Sequence, residues 1–206
     1  AVANQFEDFR PTPQQGEVSG YTAGGYFQRD DDPGLFFTTI DKFPFASDAS
    51  GTSVGSLGCS VRYGAGGASS TDGYVSGGCC NTGKTAQIQK FPFLSDTPSS
   101  CVGALSPTVG RSIGVSSTEN GYVLGGDPPR GTTISKFPFS SDGPASNVAS
   151  LPINRNDGAD AASLTDGYVQ AGLRNPPAPP SFASTSNIEK FPFAADNPAT
   201  DVGNII

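Results

Sequence analysis

The chain has 206 residues, a formal net charge of −7 and no histidine. The acidic balance repels a phosphate backbone, which argues against a nucleic-acid partner. No apolar run approaches the roughly 18 residues of a membrane span, and the missing imidazoles remove the commonest general base and metal ligand. With 27 Gly and 18 Pro against 35% hydrophobic residues, the composition favours short strands joined by turns over helices.

In chain order, the chain begins at Ala1 and contains no Met. This points to removal of an initiator, leader or pro-segment, or to numbering of only a mature or ordered part. From Arg10 onward a unit repeats four times, its most regular element being Lys-Phe-Pro-Phe at Lys42, Lys90, Lys136 and Lys190. A period near fifty signals a repeat architecture, and one such unit is too small to bury its apolar face alone. The units run over 10–57, 62–105, 111–151 and 155–206, and together they form a single domain.

Each unit predicts four strands. The first opens near an arginine (Arg10, Arg62, Arg111, Arg155) and continues in small residues. The second begins after a turn signal such as Thr71-Asp72 or Glu119-Asn120. It reads Gly-Tyr-x-x-Gly-Gly from Gly20, Gly73 and Gly121, and is degraded to Ala171-Gly172 in the last unit. Asp-Gly and Asn-Gly tolerate positive φ, so a hairpin turn is expected there. A loop of unequal length follows, over 26–39, 79–87, 127–133 and 173–187. The third strand carries Ile40, Ile88, Ile134 or Ile188 and then Lys-Phe-Pro-Phe. Alternation puts Ile on one face and both Phe on the other, so this strand lies between two packed layers. Its proline belongs at a strand end or bulge. The fourth strand is Val-Gly-x-Leu or a close variant, beginning at Val54, Val102, Val148 and Val202.

Four-stranded antiparallel units repeated radially predict an all-β fold: a small β-propeller of four blades, with small residues where strands crowd and Phe where the wedge widens. The double glycine after an aromatic strand, the Ile-x-Lys-Phe-Pro-Phe strand and the Leu-x-x-x-Arg stretch resemble a divergent kelch-type repeat, without its Trp. The tandem repeats are also similar to repeat proteins of marine phages and other aquatic viruses, often in tail, fibre or other virion proteins. That resemblance implies a structural or adhesive protein at a virion surface or in another extracellular assembly. Its partners would be copies of itself or other assembly proteins.

Catalytic chemistry has few candidates. Ser-His-Asp and Cys-His sites are excluded, no phosphate loop is present, and no carboxylate pair is singled out for glycoside cleavage. No cofactor or metal is expected. Asp30-Asp31-Asp32 lacks the alternation of a calcium loop and reads as a solvated turn. Cys59, Cys79, Cys80 and Cys101 are candidates for two disulfides, each joining one member of the adjacent pair to Cys59 or Cys101. Buried free thiols are the alternative. The four matched arginines are candidates for an axial anion contact, against salt bridges or bonds to loop carbonyls. The recurring lysines are expected to lie on aromatics and pair with carboxylates. Variable loops collect on one face of a repeat protein. Tyr26, Phe27, Phe36, Phe37 and Phe182 on those loops are therefore candidates for partner or cell-surface glycan contact, the basis of an alternative lectin reading.

Overall fold

The computed structural model describes residues 18–28, 34–127, 131–174 and 183–206, and all regular structure within them is β. The first sheet has three described strands, β1 (Ser19–Phe27), β2 (Leu35–Pro44) and β3 (Thr52–Ser56). The second pairs β4 (Ala65–Ala68), β5 (Asp72–Ser76), β8 (Gln87–Pro92) and β9 (Ser100–Ala104), with a hairpin, β6 (Cys79–Cys80) and β7 (Gly83–Lys84), between β5 and β8. The third runs β10 (Ile113–Ser116), β11 (Asn120–Leu124), β12 (Thr133–Pro138) and β13 (Ser146–Ser150). The fourth runs β14 (Ala159–Ala162), β15 (Asp166–Gln170), β18 (Asn187–Pro192) and β19 (Thr200–Asn204), with a hairpin of β16 (Leu173–Arg174) and β17 (Ala183–Ser184). Every pairing is antiparallel, and strand order follows the repeat.

The turn before each Gly-Tyr strand is built differently from the sequence expectation. Gly73, Gly121 and Gly167 do not have positive φ; they lie inside strands, paired with Phe91, Phe137 and Phe191. The turn is closed instead by a serine. Ser69 Oγ accepts from the amides of Thr71 and Asp72, and Ser117 and Ser163 repeat the arrangement. The glycine is required by packing: a Cβ at Gly121 would lie 2.2 Å from Phe137 Cζ, because the ring folds across the bare backbone. Positive φ appears at the other end of the strand, where Gly77 and Gly78 (φ 64° and 97°) turn the chain out of the sheet.

The third strand behaves as its pattern predicts. A bulge follows each Ile, and each strand ends at its proline, where no ladder amide is needed. Ile88 packs toward the third sheet while Phe91 packs toward the first. Three apolar clusters result, one between each pair of consecutive sheets. In each, a tyrosine of one sheet stacks on the second Phe of the next: Tyr21 on Phe93 at 4.8 Å, Tyr74 on Phe139 at 4.8 Å and Tyr122 on Phe193 at 5.3 Å. Offset stacking of this kind adds about 0.5–1.5 kcal/mol beyond area burial. The lysines join the same interfaces. Lys90 bonds Asp142 at 2.7 Å and Lys136 bonds Asp196 at 2.8 Å, while Lys42 lies 3.9 Å from Asp96, so each reaches the carboxylate of the following unit. Lys42 also sits over the Tyr21 ring. Such half-exposed pairs contribute at most about 1 kcal/mol and act mainly on register. The first strands of consecutive sheets, β4 and β10, approach so closely that a Cβ at Gly114 would lie 1.9 Å from the Gly66 carbonyl oxygen. Crowding there explains the small residues of the first strands.

Candidate functional site

The connections between sheets bring the predicted arginines to one rim, but not to matched places. The second glycine of each pair donates its amide to the following connection, Gly25 to Val61, Gly78 to Val109 and Gly126 to Arg155. The next residue in each connection, Arg62, Gly110 or Asn156, bridges to Cys79, Asp127 or Leu173. The one after, Tyr63, Arg111 or Asp157, adopts positive φ of 59°, 55° and 51°. Arg155, Arg62 and Arg111 therefore occupy three successive positions of one recurring turn. This corrects the expectation of an axial arginine ring, because successive residues point in different directions. Arg10 lies outside the described residues.

Each arginine has its own surroundings. Arg155 takes the buried place of Val61; with no exposed surface, it meets the equally buried Glu189 at 2.6 Å and donates to the Ala171 carbonyl. Burial pushes the Glu189 carboxyl up, and Arg155 offsets this in part. The Arg62 guanidinium stands over Tyr26 at 4.3 Å, Phe36 at 4.9 Å and Tyr63 at 5.2 Å. Arg111 stacks on Tyr63 at 4.7 Å and bonds Asp157 at 2.9 Å. The three positive-φ residues are also chained, Arg111 donating to Tyr63 O and Asp157 to Arg111 O. Left-handed backbone at three non-glycine residues stores strain of the kind that gathers at functional sites.

Beside this rim lies a cleft of about 770 Å³, walled by Tyr21, Tyr26, Phe45, Arg62, Tyr74 and Phe93 among others. It borders β1, β4 and β5.

The loop aromatics divide into two groups. The stretch read as a loop over 26–39 is largely a hairpin extension of β1 and β2, with Tyr26 opposite Phe36 and Phe27 opposite Leu35. Tyr26 and Phe36 share one face, where they are taken up by Arg62. Phe27, Leu35 and Phe37 lie on the opposite face and are exposed, forming an apolar patch. Phe182, Asp30-Asp31-Asp32 and the prolines from Pro176 lie outside the described residues.

All four cysteines are free thiols in this structure, the second of the two alternatives. In β6, successive side chains point to opposite faces. Cys79 packs over Gly110, while Cys80 bonds the Gly83 carbonyl. Cys59 bonds Gln87 and accepts from Gln89, and Cys101 is exposed on β9. Burial pushes the Cys59 thiol up.

The two outer sheets each carry half of the recurring interface. Phe43 and Phe45 keep the edge-to-face geometry of the other Phe pairs, but Phe43 is 37% exposed against 2–5% for Phe91, Phe137 and Phe191, and Phe45 is exposed where Phe93, Phe139 and Phe193 are half-buried. At the other end, Tyr168 and Ile188 are half-buried, whereas their counterparts Tyr122 and Ile134 are buried. Val202 and Ile205 are exposed. Among the described residues, Lys190 has no carboxylate partner and Asp48 has no cation.

No protein-family model matches the chain, and no curated protein matches it. Its fold is similar to the solved structure of YjhT, with a TM-score of 0.73 over 93% of this chain and 70% of that one, at 11% identity. That likeness concerns the all-β fold alone.

Proposed function

We propose that this chain is a four-bladed, kelch-like β-propeller, each sheet one blade, serving as a non-catalytic structural and adhesive subunit of an extracellular assembly. The observation that carries this reading is the single directional interface, used three times between consecutive sheets and left half-made at both ends. Innermost strands that touch one another support the blade reading, since radial sheets crowd at an axis. A virion surface as the setting follows from the repeat resemblance. Electron micrographs of the purified chain should show lobed particles joined into larger bodies. Particles of a single 21 kDa chain that adhere to nothing would overturn the reading.

The aromatic cleft favours a second reading, glycan binding. Ring faces beside an Arg–Asp rim suit the apolar face and the hydroxyls of a sugar. A glycan array should then show binding that is lost in Tyr63→Ala and Tyr26→Ala, both in the cleft wall; an array without binding removes this reading.

A further inference from the structure

We propose that the outward face of the fourth sheet docks on the outward face of the first sheet of a second copy of this chain, head to tail. The contact would repeat the geometry already used three times inside the molecule. The inference rests on the assembly reading above and names its surfaces and partner.

The argument begins with what an internal interface consists of. The donor sheet supplies a tyrosine, an isoleucine, a leucine and a lysine; for the third sheet these are Tyr122, Ile134, Leu151 and Lys136. The acceptor sheet supplies Phe-Pro-Phe and an aspartate; for the fourth these are Phe191, Phe193 and Asp196. The fourth sheet then offers the donor set again, as Tyr168, Ile188, Ile205 and Lys190. The first sheet offers the acceptor set, as Phe43, Phe45 and Asp48.

Charge selects the occupant. Three of the four repeat lysines are paired with three of the four repeat aspartates, always from one unit to the next. Among the described residues, Lys190 and Asp48 are the two left over, of opposite sign and in the last and first sheets. No apolar cluster among the described residues joins the first sheet to the fourth. A second copy brings the matching aromatic pair and the matching carboxylate together, in the register that the Tyr–Phe stacks fix.

Two departures at the ends agree with a junction between separate chains. Within the chain, a Cβ on the first glycine of each pair would strike the following connection, 2.4 Å from Val61 O at Gly24 and 2.4 Å from Arg155 O at Gly125. The last unit carries Ala171 there, with the same positive φ of 56°. Ala171 is half-buried, and a docked second chain requires no connection to close over its methyl. On the first sheet, exposed Thr22 stands where later units have Val and keeps the branched shape. Because the two faces differ, the contact is heterologous and builds a ring or a filament according to whether its rotation closes.

The test is a charge exchange followed by sedimentation over a range of concentrations. Wild-type chain should form multimers. Lys190→Glu alone and Asp48→Lys alone each place like charges at every junction and should weaken association about tenfold or more. An equimolar mixture of the two variants restores opposite charges at every junction and should recover wild-type association. Both residues lie at the unpaired ends, so neither variant depends on an internal contact; unchanged circular dichroism checks the fold. Multimers insensitive to either substitution would overturn the face assignment while leaving the assembly reading intact. A monomer at all concentrations would overturn both. Restoration only when both substitutions are in one chain would mean that the chain closes on itself, and would overturn the second copy as occupant.

Discussion

Replacing Gly121 with Ala tests whether the repeat glycines exist for packing. A Cβ there would lie 2.2 Å from Phe137 Cζ and 2.7 Å from both Cε atoms. Non-bonded carbons prefer roughly 3.5–4 Å, so the ring would have to retreat by more than about 1 Å. It has nowhere to go: Phe137 is buried, tilted against Tyr74 at 5.5 Å and edge-on to Phe139 at 5.8 Å. Overpacking of this kind costs about 1–3 kcal/mol. Alanine returns roughly 0.5–1 kcal/mol through the unfolded chain, since Gly121 does not have positive φ. The net expectation is a loss of about 1–2 kcal/mol. Gly20→Ala makes the same contact, with Cβ 2.3 Å from Phe43 Cζ, but that ring faces outward and is free to swing. There the two effects nearly cancel, within about 0.5 kcal/mol. Both substitutions belong in the Lys190→Glu background at low concentration, so that no second copy covers Phe43. Urea unfolding with unchanged m-values reads the difference. Equal losses at the two sites would refute the packing argument, as would a gain at Gly121.

Three further outcomes are expected. Ala171→Gly should stabilise the chain by about 0.5–1 kcal/mol in thermal or urea unfolding, because it relieves a left-handed alanine that nothing in the chain requires; a loss would mean that the methyl packs. Burial, with Asp72 adding, pushes the Tyr74 hydroxyl up to about 12 from 10. The unfolded chain therefore releases this proton first: its stability contribution is complete below pH about 10, and about 2–3 kcal/mol is lost as pH rises toward 12. Tyr74→Phe should flatten that part of the stability profile, and an unchanged slope would refute the assignment. Glu189→Leu strands the buried Arg155 guanidinium and should cost about 3–5 kcal/mol, whereas adding Arg155→Met should recover most of it. Losses that simply add in a double-mutant cycle would show that the two groups do not act as a pair.

What could be read from the sequence was what a neighbour constrains. Strand order, the opposed faces of Ile88 and Phe91, and the prolines at strand ends all follow from alternation and from the missing proline amide. The arginine alignment failed because it matched residue identity, not distance from a fixed point. Counted from Leu57, Leu105 and Leu151, the fourth residue on is Val61, Val109 and Arg155, which is the structural equivalence. Glycine before tyrosine was read as a turn signal because Asp-Gly so often is one. Its cause, a ring lying across the backbone, becomes visible only when Gly73 is paired with Phe91.

The departures from the repeat are as informative as the repeat itself. Thr22 stands where the later units have Val, Ala171 where the earlier ones have Gly, and exposed Ile205 where they have Leu. Thr22 and Ile205 lie on faces that the other described residues leave open. Yet the same two faces keep Phe43, Phe45, Tyr168, Ile188, Lys190 and Asp48, whose counterparts are all engaged in internal interfaces. Ends meant only for solvent would have no use for a paired aromatic step and a complementary charge. Their retention is what the proposed head-to-tail contact requires, and the charge exchange at Lys190 and Asp48 is its test.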